Sequence, residues 1–379
     1  MDTIYGVSPG EVSWAASDMG WIVGHEYTCY SPLLARNTSL MYEGKPVGTP
    51  DPGQFFRVIQ EHGVRGMFTA PTAIRAIERE DPEGEWAARY DLSSLRQLFV
   101  AGEHCDYRTR LWAEQHFRVP VLDNWWQTET GHALTSTCVG LGHSLEPPKD
   151  VSGMAVPGWD IRILRDDQTE AGPNELGRIV AKLPMPPGCM STLFQADQRF
   201  VDTYFTSYPG YYDTMDAGVK DEHGYIKVLA RDDDVINVAG HRLSTSAIEE
   251  VLLRHPQVID AAVVGVADTL KGQLPLGLVI ARPGGGEAGA GAGAQLERDL
   301  VKQVREDLGA VAAFKLVTRV AGLPRTRSGK TARKTIADLA DGKQIKIPPT
   351  IEDPSVYEGI IEALKTLGYA QNLEADQLK

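Results

Sequence analysis

The sequence predicts an α/β protein in two parts: a larger part with a mainly parallel sheet and a smaller α+β module near the C-terminus. Three observations support this prediction. Between residues 54 and 126, short apolar runs alternate with helical patterns, as expected for βαβ units. From Trp159 onward, strand-like runs follow one another without intervening helices, and a second alternation of helices and strands begins near Asp233.

The helices of the larger part have recognisable boundaries. The helical pattern in residues 54–62 stops at Gly63, and a second helix opens with Pro71 at its first position, where the missing N–H costs nothing. A third helix is predicted over residues 109–117. The predicted strands cover residues 64–69, 96–102 and 119–126, and two further strands, 159–167 and 176–183, indicate a β-rich subdomain.

The smaller module begins with a capping signal. Ser246 and Glu249 have the spacing of a capping box ahead of an amphipathic helix, while the Gly- and Ala-rich residues 283–295 predict a surface loop. We expect the tail after Pro348 to dock on a neighbour because it is too short to fold alone. The remaining predictions are a strand over 260–267, a helix over 296–309, a strand over 315–324 and a helix over 331–342, with domain boundaries at 1–232, 233–348 and 349–379.

Composition narrows the classes of function. The formal net charge of −13 argues against a nucleic-acid or anionic-membrane partner, since both favour basic surfaces. No apolar run approaches the length of a membrane span. The first residues lack the features of a signal peptide or presequence, which predicts a cytoplasmic location for the chain as written, or the mitochondrial matrix if a presequence lies upstream of Met1. The four scattered cysteines indicate neither a disulfide framework nor a metal site.

One segment concentrates polar groups after an apolar run. Residues 123–131 read DNWWQTETG, and a carboxylate at the carboxyl end of a parallel strand can hold Mg²⁺ together with phosphate oxygens. The alternative is a polar loop with core tryptophans, and periodicity alone leaves both readings open. The sequence Gly329-Lys330-Thr331 is no P-loop, because the glycine needed five residues before Gly329 is Pro324.

Four segments in order resemble the adenylate-forming enzymes, specifically the short-chain acyl-CoA synthetases. They are residues 123–131, the YYDTMD of residues 211–216, the RDDDVINVAGHR of residues 231–242 and the PRTRSGK of residues 324–330. The likeness covers essentially the whole chain and is strongest to the propionate-type branch. It implies the fold of an adenylate-forming domain that lacks its N-terminal part, followed by a small mobile α+β domain.

The resemblance implies a nucleotide site. Glu129 would be the Mg²⁺ ligand, Thr128 would bond the α-phosphate, and Asp216 would accept hydrogen bonds from the ribose hydroxyls, with a turn residue as the alternative reading of Asp216. The family commonly has proline where this chain has His104, so the sequence departs from the family pattern at the implied adenine contact. The full set of implied nucleotide-binding residues is Gly102, Glu103, Asp123, Asn124, Trp125, Gln127, Thr128, Asp216, Arg231 and Arg242.

The resemblance also assigns the moving parts. Lys330 would be the catalytic lysine of adenylation, where an ammonium between a carboxylate and a phosphate offsets their repulsion. Asp233 would be the hinge about which the C-terminal domain swings, and Ala239 and Gly240 would line the CoA tunnel, where a side chain would obstruct the pantetheine. Residues 325–334 include five basic side chains, for which a solvated surface is the alternative explanation.

Substrate size is predicted from the implied acyl pocket, which consists of Trp126 as its floor and Ile22, Val23 and Ala101 as its lining. Acetate-specific relatives carry valine where this chain has Ala101, so the smaller residue favours propionate, with acetate, butyrate or isobutyrate as other candidates. The implied cofactors and substrates are ATP, Mg²⁺, coenzyme A and a short-chain carboxylate; the oligomeric state cannot be read from the sequence.

The Ser/Thr/Gly-rich phosphate loop of this family, of the form T-S-G-T-T-G-x-P-K-G, matches no segment of the 379 residues. Two hypotheses follow. The chain either represents a working acid–thiol ligase whose start lies upstream, or it is an inactive product that only binds nucleotide or CoA or pairs with another subunit. On its own, we expect it to form no acyl-adenylate from ATP.

Overall fold

A computed structural model describes residues 1–102, 105–231, 235–238, 241–282, 290–326 and 330–373. Internal contacts divide the chain into two units, Met1–Val228 and Leu229–Lys379. No helix in the described ranges is long and apolar enough to cross a membrane. The fold class predicted from the sequence, α/β with a parallel sheet, is confirmed.

The first unit is built on a five-stranded, fully parallel sheet with the strand order β2-β1-β3-β4-β5. Helices connect β2 to β3, β3 to β4 and β4 to β5, as the alternation of patterns predicts. Its strands are β1 (Val12–Ala15), β2 (Thr38–Leu40), β3 (Val64–Thr69), β4 (Gln97–Val100) and β5 (Val121–Asp123), and the helices between and before them are α1 (Asp2–Tyr5), α2 (Ile22–Gly24), the π-helix His25–Tyr30, α3 (Ser31–Leu34), α4 (Gln54–His62), α5 (Pro71–Glu80) and α6 (Tyr107–Phe117).

Burial explains why these segments fold as they do. All four residues of β4 are buried, which is typical of a strand covered on both faces. The helix α4 buries Phe55, Phe56 and Ile59 and ends at Gly63 with φ +60°, a conformation that glycine adopts without strain. The helix boundary predicted from Gly63 is therefore confirmed.

A smaller β-rich part follows the parallel sheet. Strands β6 (Thr135–Ser136) and β7 (Met154–Ala155) form an antiparallel pair, and a four-stranded sheet has the order β11-β10-β9-β8. In that sheet β9 is antiparallel to both β8 and β10. The elements are β8 (Ile161–Leu164), β9 (Gly177–Lys182), α7 (Asp197–Tyr204), β10 (Tyr211–Lys220) and β11 (Ile226–Arg231).

The second unit contains a sheet of order β13-β12-β15-β14, with β16 pairing in parallel with β15. The helix α11 buries Tyr357, Ile360, Ile361 and Leu364 in the core of this unit, so the C-terminal tail docks there as expected. The elements are β12 (Val235–Val238), β13 (His241–Ser244), α8 (Thr245–Leu253), β14 (Val258–Asp268), β15 (Gly272–Ala281), α9 (Ala290–Leu308), β16 (Leu316–Arg319), α10 (Arg333–Ala340) and α11 (Val356–Thr366).

Two predictions for this unit are wrong. The helix cap is Ser244, whose hydroxyl accepts a hydrogen bond from the Ala247 N–H at 3.3 Å, and Glu249 serves a different purpose described below. The helix α9 starts at Ala290, so residues 290–295 of the predicted loop 283–295 are helical, because a strong amphipathic helix over 296–308 can propagate backwards through residues of weaker propensity. Residues 283–289 of that prediction lie outside what the structure describes.

Candidate functional site

The segment 123–131 starts where β5 ends, at the carboxyl edge of the parallel sheet. Trp125 pairs with Thr135 in an antiparallel bridge, and a 3₁₀ turn then covers Thr128–Thr130 and ends at Gly131 with φ +73°. The turn is capped from both sides, since the Gln127 N–H donates to the Thr130 hydroxyl at 3.1 Å and that hydroxyl donates to the Gln127 carbonyl at 2.9 Å. The segment is thus a fixed turn that presents its polar side chains at the sheet edge.

A β-bulge in β10 places Asp216 opposite this turn. The register of β10 against β9 shifts between Asp213 and Asp216, and Met215 lies in the left-handed region with φ +58°. Side chains stabilise the bulge, because the Thr214 hydroxyl donates to the Ile179 carbonyl at 2.6 Å and the Met215 N–H donates to Asp213 Oδ1 at 2.9 Å. Bulges commonly re-aim a side chain next to a functional site.

Asp216 is buried and receives two side-chain donors on one oxygen. Its Oδ2 accepts from Trp125 Nε1 at 3.2 Å and from Gln127 Nε2 at 2.5 Å. Gln127 Nε2 also donates to the Thr214 carbonyl at 2.5 Å, and Gln127 Oε1 accepts from the Tyr212 hydroxyl at 2.8 Å. The orientation of the Asp216 carboxylate is therefore set by the turn segment, and the amide of Gln127 is fully used within the protein.

Glu129 lies on the same turn with its own partner. The Tyr204 hydroxyl donates to Glu129 Oε1 at 3.0 Å. Among the described residues, no group of three or more His, Cys, Asp or Glu side chains could hold a metal ion. A lone carboxylate nevertheless fits Mg²⁺ that arrives with a nucleotide, because Mg²⁺ is usually held by one or two carboxylates together with substrate phosphates and water.

Asp123 and Asn124 are turned toward the protein. Burial raises the pKa of Asp123 to about 8 even though the Asn124 N–H donates to its carboxylate. The Asn124 amide donates to the Tyr5 hydroxyl at 3.3 Å and accepts from the Ser136 hydroxyl. These contacts anchor the end of β5; the nucleotide contacts predicted for both residues stay predictions, as does that of the exposed Thr128.

Three of the four predicted acyl-pocket residues share one apolar cluster. Ala101 is buried in it, and Val23 and Trp126 pack against it. The Trp126 ring stacks on Tyr27 with 4.8 Å between centroids and an angle of 23°. Ile22 is half-buried and is not a member of this cluster. Gly102 follows directly with φ +98° and open space where a Cβ would be, so backbone there can approach a ligand closely.

The second unit carries Lys330, whose residue is exposed. The backbone on both sides of Lys330 is hydrogen-bonded. The Thr326 N–H donates to the Lys330 carbonyl at 2.8 Å, and Arg325 and Thr331 form an antiparallel β-bridge. Arg325 binds Asp260 through a fork of bonds as short as 2.7 Å, and Arg333 binds Glu249 in the same way. Two arginines of the basic cluster are thus structural, while Lys330 makes no ion pair within the described part of the chain.

One feature of the second unit was not predicted. An open cavity of about 350 Å³ has an apolar floor that includes Leu274 and Phe314, and Lys271, Arg305 and Lys315 stand around it. None of these three cations forms an ion pair with a described residue. The signal in sequence is weak, because the cations are 34 and 10 residues apart and come together only through the fold.

Several predicted residues lie outside what the structure describes. These are Glu103, Asp233, Ala239 and Gly240, and the side chains of Arg231 and Arg242, whose backbones belong to β11 and β13. Their roles stay predictions.

Comparison with known proteins gives two family matches. Residues 1–191 match the AMP-binding enzyme family, and residues 247–330 match the AMP-binding enzyme C-terminal domain. The acyl-CoA synthetase short-chain family member 3 of Mus musculus, a mitochondrial protein by name, is 53% identical over 96% of this chain and 53% of its own length. The propionate–CoA ligase of Escherichia coli is 40% identical over 96% of this chain and 58% of its own length.

Two solved structures share the fold. An anthranilate CoA ligase bound to anthranoyl-AMP superposes with a TM-score of 0.72 at 20% identity, over 88% of this chain and 60% of that one. An amide bond synthetase from Marinactinospora thermotolerans gives 0.72 at 22% identity, over 88% and 63%. The chain spans about half the length of the curated relatives it matches.

Proposed function

Since the chain belongs to the AMP-binding enzyme family, we propose that it forms the acyl-, ribose- and CoA-handling part of an ATP-dependent short-chain acyl-CoA synthetase. In the reaction a carboxylate attacks the α-phosphorus of ATP to give acyl-adenylate and pyrophosphate, and the thiolate of CoA then displaces AMP to give the thioester. The observation that carries the proposal is the fixed Asp216 carboxylate beside the capped turn 127–130.

Asp216 would accept hydrogen bonds from the ribose hydroxyls, a task suited to an ionised carboxylate. Glu129 would hold Mg²⁺ together with phosphate oxygens, and the bound cation would neutralise phosphate charge. Thr128 would bond the α-phosphate. In the same proposal Gly102 and Glu103 lie against adenine, Arg231 and Arg242 reach ribose and phosphate, and Asp123, Asn124, Trp125 and Gln127 build the surrounding wall.

The second unit would serve both half-reactions. Lys330 would bridge the carboxylate and the phosphate during adenylation, and its exposure leaves its ammonium available for that contact. Rotation about Asp233 would then bring Ala239 and Gly240 to the CoA thiol. The basic cavity at Arg305 suits the phosphates of CoA, because three cations line it and none of them forms an ion pair with a described residue.

The acyl group would be small. Ala101 and Trp126 share a buried cluster, and alanine at that position leaves space for one more methylene than valine would, which supports propionate as the preferred acid. Because the mouse relative is mitochondrial by name, the proposal includes a mitochondrial location.

The direct test supplies the intermediate. The 379-residue chain is mixed with synthetic propionyl-adenylate and CoA, and propionyl-CoA and AMP are quantified by mass spectrometry over time. We expect thioester formation above the uncatalysed rate, reduced in Asp216→Ala and unchanged in Asp166→Ala, a surface residue of the β8–β9 turn. An absence of both thioester formation and AMP binding would overturn the proposal and favour a non-catalytic role.

A further inference from the structure

Two tyrosines that the proposed function does not use connect the carboxylates of the candidate site. Tyr204 is the last residue of α7, and Tyr212 lies in β10. Their rings stack with 5.6 Å between centroids and an angle of 21°. Tyr204 donates to Glu129 at 3.0 Å, and Tyr212 donates to Gln127 at 2.8 Å. The two hydroxyls of the stacked pair thus donate to two different residues of the turn 127–130, Glu129 and Gln127.

The chain of contacts is continuous. From Glu129 it passes through the Tyr204 hydroxyl, the stacked rings and the Tyr212 hydroxyl to Gln127, whose Nε2 donates to Asp216 at 2.5 Å. Tyr212 is completely buried, and this burial raises its pKa well above the ordinary value. Because the Tyr212 hydroxyl donates to Gln127 Oε1, the Nε2 end of the Gln127 amide faces Asp216.

The helix that carries Tyr204 buries none of its residues. Its attachment to the unit includes aromatic contacts near its end: Phe205 lies 5.9 Å from the Tyr212 ring, and Phe200 lies 5.0 Å from Phe205. The Tyr204 ring packs against the core cluster that contains Tyr212, while its hydroxyl donates to Glu129. The hydroxyl of Tyr204 is therefore separable from the stability of the fold.

We propose that Tyr204 and Tyr212 are positioning residues with separate tasks, Tyr204 orienting Glu129 toward a magnesium–phosphate group and Tyr212 orienting Asp216, through Gln127, toward the ribose. This inference rests on the proposed function of the same site. It adds the prediction that removing one hydroxyl affects only one part of the nucleotide. A merely structural role of either tyrosine would weaken all nucleotide contacts together.

The test measures binding by calorimetry on the 379-residue chain. Four ligands are used: AMP in EDTA, 2′,3′-dideoxy-AMP in EDTA, and ATP with and without Mg²⁺. Tyr204→Phe keeps the ring stack and should reduce the tightening of ATP binding by Mg²⁺ by roughly tenfold or more, as is usual when a partner of a metal ligand is removed. Its affinity for AMP in EDTA should equal that of the unaltered chain.

Tyr212→Phe should give the reverse pattern. The preference for AMP over its dideoxy analogue should fall by about threefold to tenfold, the usual value of one neutral hydrogen bond, while the Mg²⁺ effect on ATP stays the same. Tyr211→Phe is the matched control, since it is the neighbouring tyrosine of β10 and its hydroxyl makes no hydrogen bond to any residue that the structure describes. It should change neither quantity.

A second variant checks the route of the effect. In Glu129→Gln the metal ligand is lost, so adding Tyr204→Phe should cause no further loss of the Mg²⁺ effect. The inference is overturned if both tyrosine variants weaken all four ligands equally, if neither changes any of them, or if ATP binding by the unaltered chain ignores Mg²⁺. Failure of the unaltered chain to bind AMP at all would instead contradict the proposed function.

Discussion

Replacing Arg333 by methionine should destabilise the second unit strongly, although Arg333 lies in the first turn of a surface-facing helix. Its guanidinium donates to both carboxylate oxygens of Glu249, at 2.9 Å from Nε and 2.7 Å from Nη2. The Glu249 side chain is 10% exposed and that of Arg333 is 24% exposed. Without Arg333, the carboxylate would keep the Val263 N–H as a donor, at 2.8 Å.

The size of the loss in unfolding free energy depends on the buried Glu249 charge that remains without its ion-pair partner. Breaking a buried ion pair by removing one partner costs about 3–5 kcal/mol, because an uncompensated charge stays in the interior. Partial solvent access to Arg333 and the remaining Val263 donor reduce this figure, so we expect about 2–3 kcal/mol. For a unit of this size that corresponds to a fall in melting temperature of roughly 5–10 °C.

Arg254→Met is the matched control. Arg254 pairs with Glu250 and Asp307 at 3.1 Å each, but its side chain is 55% exposed, and exposed pairs contribute about 0–1 kcal/mol. Chemical denaturation of both variants, together with Glu249→Gln and the double variant, gives the coupling energy directly. Equal and small losses for Arg333→Met and Arg254→Met would refute the argument that burial of Glu249 decides the cost.

Three further predictions concern single positions. The folded protein keeps the Asp123 proton up to about pH 8, whereas the unfolded chain loses it near about pH 4. The free energy of unfolding should therefore fall as pH rises between these values, by up to about 1.4 kcal/mol per pH unit. In pH-dependent denaturation Asp123→Asn should remove that slope, and an unchanged slope would contradict the prediction. Ala101→Val should shift binding from propionyl- toward acetyl-sulfamoyl-adenosine by roughly tenfold, and an unmoved ratio would exclude Ala101 from the acyl pocket. In a chimera with the N-terminal half of the mouse relative, Lys330→Ala should slow adenylate formation about a hundredfold or more and leave thioester formation from supplied adenylate unchanged. Gly240→Leu should leave adenylate formation unchanged and block thioester formation. Loss of both steps in both variants would indicate a folding defect instead.

Three strands of the parallel sheet, β3, β4 and β5, could be predicted because their signals are local. Each is a short apolar run, and the helices between them begin at Pro71 or end at Gly63, residues whose backbone preferences act within one turn. The strands β1 and β2 were not predicted, because their sequences, VSWA and TSL, contain no such apolar run. The strand β15 was not predicted, because local signals can also mislead: proline lacks the N–H that a central strand needs, so Pro275 argues against a strand at this position. Its pairing with β14 along ten residues outweighs that preference.

The capping error shows how tertiary contacts override a local pattern. Ser246 and Glu249 satisfy the spacing of a capping box, but the helix starts two residues earlier than that box requires, at Thr245, and Ser244 is its cap. Glu249 is drawn into the ion pair with Arg333, which is 84 residues away in sequence. No window of a few residues contains both partners, so the alternative use of Glu249 could not be inferred from spacing.

The candidate site divides in the same way. Motifs identify Asp216 and Glu129, because both lie in short segments with a characteristic order of residue types. The network that orients them joins Gln127 to Tyr212 and Glu129 to Tyr204 across 85 and 75 residues. A hydroxyl that donates to a carboxylate leaves no pattern in sequence, so the positioning residues emerge only from coordinates.

The basic cluster near the C-terminus illustrates why residue type matters within one charge run. Composition treats Arg325, Lys330 and Arg333 alike, yet the two arginines use their planar, multi-donor groups to grip Asp260 and Glu249, the geometry for which guanidinium is suited. Lysine offers a compact charge on a flexible stem, and Lys330 is exposed between the anchored residues. The two ion pairs fix the backbone on both sides of Lys330, and Arg325→Lys should therefore loosen that segment even though it conserves charge. An unchanged rate of amide hydrogen exchange at Lys330 and Thr331 in that variant would show that the anchoring does not depend on the guanidinium.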